Sequence, residues 1–242
     1  MITFNGVTSD SLGLIVERYP VRPLTTRKQY IYKIPARNGD LIIDENAFEN
    51  YDQAYDVYVQ PNFPANMKAI AKWLLGPNGY AQLIDSYDNE QTYRNARFVG
   101  GVQVLNALNK YGKATITFNC CPQRYLITDE TVSGTFGDTL TIPTHADMMP
   151  GYPLITITGW ESNDAGKIET DDITITIPAQ STNIGNIMID FEMHTVKGMA
   201  VPLSAVTVVG KWTTLDDGDT IVTTLTNGTT HPVSVNPRRW YL

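Results

Sequence analysis

Two periodicities run along this chain, and they are unevenly distributed. Short alternating stretches dominate: Ile2 and Phe4 before Asn5-Gly6, then Tyr30 to Ile34, Leu41 to Ile43, and Tyr55, Val57 and Val59 before Pro61. Ala81 to Ile84, Tyr93 to Val99, Val102 to Leu105 and Ala114 to Cys120 add four more, and an apolar run covers Leu12 to Val16. Alternation with a period of two predicts half-buried strands. One segment has helical period instead: after Pro64, the residues Met67, Ile70, Ala71 and Leu74 fall at i, i+3, i+4 and i+7, and Gly76-Pro77 supplies the stop. From Thr135 onward only short strands are predicted: Thr139–Ile142, Leu154–Thr158, Ile173–Ile177, Ile187–Phe191, Val206–Val209, Thr220–Leu225 and Val233–Val235, separated by glycine-bearing gaps. That spacing is the one a β-sandwich produces.

Composition divides the chain where the pattern changes. Eleven of the 13 tyrosines precede residue 126, whereas seven threonines lie in the first 125 residues and 22 in the remaining 117. The first part carries 13 Lys and Arg against 11 Asp and Glu, and the second carries 5 against 14, so the net charge of -7 resides in the C-terminal half. Two domains are expected, 1–130 and 131–242. A chain this acidic lacks the basic stripe of a dedicated nucleic-acid binder. No apolar run approaches the ~20 residues of a membrane span, and the N-terminus has neither the basic nor the apolar region of a secretory signal. The two cysteines, Cys120 and Cys121, are adjacent, which excludes a disulfide framework and suits a reducing compartment.

Catalytic chemistry finds little support. His145, His194 and His231 lack partners at ligand spacing, so no metal is assigned. Nucleophile elbow, phosphate loop and zinc-protease motifs are missing from the sequence, and no cofactor is implied. Asp216-Asp217-Gly218-Asp219 has the residue types of half a calcium loop without its alternation, and a strand-connecting turn accounts for it better. A carboxylate pair such as Glu161 with Glu192 stays open, because its separation belongs to the fold. Trp160 and Trp212 are candidates for stacking on a sugar, with core packing the preferred reading. The N-terminal tyrosines suit either half-buried strands or a protein interface.

The order of these features resembles the distal tail protein family of long-tailed phages and of prophages in Gram-positive bacteria. Phe4-Asn5-Gly6 followed by Ser9 to Leu14 looks like the family's opening. Ile34-Pro35-Ala36-Arg37-Asn38-Gly39-Asp40-Leu41 is similar to its Ile-Pro-Gly-Arg-Xaa-Gly turn, with Ala36 in place of the frequent glycine. Trp73-Leu74-Leu75, Leu83 to Asp88, Tyr93 with Ala96, and Phe118 to Pro122 follow in the family's order, as do Gly159, Asp190, the Leu215 to Thr220 turn and Pro237 to Leu242. The resemblance implies a mainly β protein: an N-terminal β-sandwich belt domain with one α-helix and a β-hairpin, then a C-terminal galectin-like β-sandwich. It implies a structural, non-enzymatic role at the virion tail tip, assembled in the bacterial cytoplasm. Six copies would form a ring joining the tail tube protein to the tail-associated hub and receptor-binding parts, with DNA passing through the lumen without specific binding. A carbohydrate-binding module contacting host cell-wall glycans through Trp160 and Trp212 is the alternative. Tyr30, Tyr32, Arg37 and Gly39, within the stretch from Tyr30 to Asp44, are the candidate ring-contact residues.

Overall fold

The computed structural model describes residues 1–60, 67–87, 92–128, 130–145, 147–161, 163–199, 203 and 205–242. The expected roles of Pro61 as a strand stop and Pro64 as a helix start lie outside them, as does Asp88. The chain is mainly β and forms two compact units, Met1–Ile127 with Leu242, and Thr128–Tyr241.

In the first unit the strands are β1 (Ile2–Phe4), β2 (Val7–Thr8), β3 (Leu14–Val16), β4 (Arg27–Tyr32), β5 (Leu41–Phe48), β6 (Tyr51–Val59), β7 (Ala81–Asp85), β8 (Thr92–Phe98) and β9 (Lys113–Leu126). Two helices, α1 (Met67–Leu75) and α2 (Val102–Tyr111), interrupt them. Seven strands make one antiparallel sheet in the order β2-β1-β7-β8-β9-β6-β3, while β4 and β5 form a separate two-stranded pair. The long β9 is the spine: Tyr51 to Tyr58 of β6 pair along one side and β8 along the other, with an irregularity between Arg94 and Ala96. Every second residue of these strands turns inward. Phe4, Tyr55, Leu83, Ile116 and Phe118 therefore meet in one core, which Ile70, Trp73 and Leu74 of α1 and Leu108 of α2 cover. The Phe4 and Phe118 rings lie 4.8 Å apart, and the Trp73 indole donates to the Phe4 carbonyl at 2.9 Å. The same alternation sends Cys120 inward and leaves Cys121 half-exposed, so both thiols are free.

The second helix corrects the sequence reading, which expected one helix and a strand at Val102–Leu105. Four residues of alternation were too short a window. Beyond them the apolar positions recur as Val104, Leu105 and Leu108, a helical spacing, and Gly112 closes the helix at φ 67° with its N–H on the Leu108 carbonyl at 3.0 Å.

The second unit contains β10 (Val132–Thr135), β11 (Thr139–Thr141), β12 (Leu154–Trp160), β13 (Ala165–Glu169), β14 (Ile173–Ile177), β15 (Gly185–Asp190), β16 (Thr195–Gly198), β17 (Thr207–Gly210), β18 (Thr220–Asn227) and β19 (Pro232–Asn236). They form two antiparallel five-stranded sheets, β10-β19-β12-β15-β16 and β11-β18-β13-β14-β17. Isoleucines set inward by the pleat supply the core between them: Ile155, Ile157, Ile187 and Ile189 from one sheet, Ile168, Ile173, Ile175 and Ile177 from the other. The intervening threonines face outward, which explains the threonine enrichment. Buried Arg239 gathers Glu130, Asp217 and the Pro143 carbonyl, pinning the beginning of this unit to its end. β13 and β16 fall in stretches with little alternation and were not anticipated from the sequence.

Candidate functional site: an exposed hairpin and the cleft beside its base

The β4–β5 hairpin is the surface feature that the fold leaves without an internal purpose. Its register places Tyr30 opposite Ile43, Ile31 opposite Ile42, and Tyr32 opposite Leu41. Consecutive residues on a strand point to opposite faces, so three apolar residues in a row on each arm make both faces apolar. All six are between 37% and 60% exposed. A large apolar surface left open in this way marks an interaction site more often than a free surface.

Polar contacts stiffen the base. Glu49 N–H donates to the Thr26 carbonyl at 2.8 Å, the Thr25 hydroxyl donates to the Glu49 carbonyl at 2.6 Å, and Arg27 lies over the Phe48 ring at 5.0 Å. Asp44 accepts from the Gln29 amide at 2.9 Å and the Asn46 N–H at 2.7 Å, and these donors, with Arg27 nearby, hold its carboxyl below the ordinary range. The Tyr30 hydroxyl is pushed up by its hydrogen bond to Glu45 and by that carboxylate's charge. At the far end Arg37 N–H reaches the Ile34 carbonyl at 3.2 Å, with Ala36 at φ 62° and Gly39 at φ 81°. Ala36 thus occupies left-handed space that glycine enters at lower cost.

All four candidate contact residues therefore lie on this one hairpin. Tyr30 and Tyr32 share a face of β4, rings 6.5 Å apart, and Arg37 and Gly39 sit in its loop. The two tryptophans do not form a platform. Trp160 is fully buried, edge-on to Phe136 at 5.1 Å and 5.4 Å from His231, with no ring face open to a sugar. Trp212 is half-buried, stacked on His194 at 5.6 Å and edge-on to Phe191 at 5.0 Å.

A cleft beside the hairpin base was missed in the sequence. The segment 17–26 runs along β6, held by Glu17 N–H on the Asp56 carbonyl at 2.8 Å and by the Gln53 amide on the Val21 carbonyl at 2.9 Å. Between this strap and the outer face of β6 lies a cavity of about 350 Å³. Arg18 holds Asp56 at 2.7 Å, and the Thr115 hydroxyl also donates to it at 2.7 Å; that hydroxyl and then Arg18 keep the Asp56 carboxyl low. Val21 and Leu24 stand 85% and 90% exposed on the strap. The available signal was Tyr19-Pro20-Val21-Arg22-Pro23, a stretch in which two prolines preclude a regular strand.

The candidate chemical groups have structural occupations. Tyr55 donates to buried Asp85 at 3.0 Å, and burial, then the Asp85 charge, lifts its phenol well above the ordinary range. His231 Nε2 meets Asp164 Oδ2 at 2.6 Å, but the Thr229 hydroxyl approaches the same nitrogen, so the three do not form a relay through the ring. His145 pairs with Glu130 at 3.4 Å, and Glu192 with Arg238 at 3.3 Å. Asp216 to Asp219 fold onto themselves, Asp216 N–H donating to Asp219 Oδ2 at 2.7 Å and Asp217 N–H to Asp216 Oδ1 at 2.8 Å. Among the described residues no cluster of three or more His, Cys, Asp or Glu is arranged to hold a metal, and no helix is long and apolar enough to cross a membrane.

No family model and no curated protein matches the sequence. Solved structures give a different result. The chain is similar in fold to the SPP1 Dit protein. The TM-score is 0.65 over 99% of this chain and 97% of that one, at 12% sequence identity. The crystal structure of SPP1 Dit is described as a paradigm of hub adsorption apparatus in Gram-positive infecting phages. Because the superposition spans both units, the likeness to Dit concerns the whole two-part β architecture. At this identity it establishes fold.

Proposed function

We propose that this chain is a structural subunit of a phage tail-tip hub, a distal tail protein that assembles as a six-membered ring through its N-terminal unit. The observation that carries this reading is the fold likeness to a phage hub protein along both chains nearly end to end. Two features of the molecule support it. The hairpin presents apolar surface on both faces, which a self-associating protein can cover and an isolated one cannot. The first 125 residues are nearly neutral, so copies packed side by side through this part avoid like-charge repulsion, while the acidic second unit stays solvated.

In this role the ring joins the tail tube to the tail-associated hub and receptor-binding parts, after assembly in the host cytoplasm, and its lumen passes DNA without reading it. The work is positional, with no bond made or broken. Glycan binding gains no comparable support, since one of its two tryptophans is enclosed in the core. Light scattering after size-exclusion chromatography, with negative-stain images, tests the proposal. A particle of six chains with a central hole is expected. A monomer at every concentration, forming no ring with tail partners either, would refute it.

A further inference from the structure

A closed ring of identical chains needs two different complementary patches on each chain, because every subunit meets one neighbour with one patch and the other neighbour with the second. The hairpin is one such patch. The structure offers a match for it in the strap cleft, lined by Tyr19, Pro20 and Val21 of the strap and by Asp52, Ala54 and Asp56 of β6. We infer that the hairpin tip of one copy seats in the strap cleft of the next, Arg37 facing Asp52. This pairing rests on the ring reading above and specifies its contact.

Charge favours the assignment. Asp56 is already neutralised by Arg18, whereas Asp52 accepts only the neutral Asn119 amide, at 2.8 Å, and has no cation within 4 Å among the described residues. The Arg37 side chain, exposed at the tip, makes no hydrogen bond or ion pair among them. An unpaired anion in the concave site thus corresponds to exposed cations, Lys33 and Arg37, near the end of the protruding hairpin. Apolar surface matches as well: Tyr32 and Ile34 flank the tip, and Val21 and Leu24 stand at the strap. A cavity of about 350 Å³ is large enough to receive side chains of the tip. Self-occupation is excluded by length. The hairpin is anchored at Thr26 and Glu49, next to β6, and its paired arms of six and eight residues carry the loop ~20 Å or more away.

Disulfide trapping in the full chain tests the contact. Arg37→Cys and Asp52→Cys, combined in one chain and mildly oxidised, should give a ladder of covalent oligomers up to six on a non-reducing gel, and neither single variant should. Arg37→Glu and Asp52→Arg should each weaken association about tenfold or more, and the double charge swap should restore it. Both residues are exposed, so circular dichroism should show unchanged folding. Native-mass rings that persist in Arg37→Glu, without a ladder from the cysteine pair, would overturn the pairing and leave the ring reading standing. Failure of the unmodified chain to oligomerise at any concentration, with or without tail partners, would defeat both.

Discussion

Replacing Asp164 by alanine probes a single carboxylate that holds two turns of the C-terminal unit together. Asp164 is almost fully buried, and its two oxygens accept from His231 Nε2 at 2.6 Å, from the Thr229 N–H at 3.1 Å and from the Glu161 N–H. It thereby ties the β12–β13 turn to the β18–β19 turn. Alanine would leave three donors without an acceptor where water has little access. At ~1 to 3 kcal/mol for each donor left unsatisfied, and less for the two that lie nearer solvent, the loss comes to about 3 to 5 kcal/mol. For a unit of this size that corresponds to a fall in Tm of about 15 °C. Tryptophan fluorescence follows it directly, because the Trp160 ring lies 5.4 Å from His231 and three of the four tryptophans belong to this unit. Asp164→Asn, which keeps an acceptor oxygen, should lose about half as much. A Tm drop below ~4 °C in Asp164→Ala would mean that the donors find other partners, and the account of this turn pair would be wrong.

Gly228→Ala should destabilise the same transition by ~2 kcal/mol or more, since its Cβ would lie 1.8 Å from Asp164 Oδ1 and the backbone is at φ 100°; an unchanged melt would show that the turn yields freely. Burial alone would raise the Asp190 pKa, but the Met193 N–H and then Arg238 outweigh it and leave the value depressed. A carboxylate depressed in the folded state adds stability above its unfolded pKa of ~3.9, and that stability is lost as pH falls through the folded value. Asp190→Asn should therefore lower Tm at pH 7 and have little effect at pH 2, and an equal loss at both would sink the assignment. Burial pushes the Cys120 thiol up to about 12. Alkylation at pH 8 followed by mass spectrometry should modify Cys120 only after unfolding, and rapid labelling of the native chain would contradict its burial.

Much of the fold was legible because it rests on local rules. Alternation in Ile173–Ile177 and Tyr51–Val59 specifies which side chains face a core, whichever strand pairs with them. The stripe of α1 similarly specified a helix that would pack on a sheet, although Trp73, outside the expected stripe, proved to be one of its buried anchors. Val102–Leu105 failed because four residues of strand-like alternation also fit one turn of a helix, and the decision lay with Leu108 and Gly112 farther along. For the candidate site, the sequence marked Tyr30, Tyr32, Arg37 and Gly39 as one turn-bearing stretch. It could not mark the cleft, whose walls at Tyr19 to Pro23 and at Asp52 to Asp56 are separated by the entire hairpin.

By itself, then, the sequence determined the β character of the chain, the contrast between a tyrosine-rich neutral part and a threonine-rich acidic one, and the turn at Arg37 to Gly39. Each of these follows from neighbours a few residues apart. Tertiary structure alone decided that Trp160 is enclosed while the Ile31 and Ile42 faces stay open, since both outcomes depend on which distant strands arrive to cover them. It also decided that Asp56 has a cation and, among the described residues, Asp52 has none, because Arg18 reaches β6 only once the strap is laid along that strand.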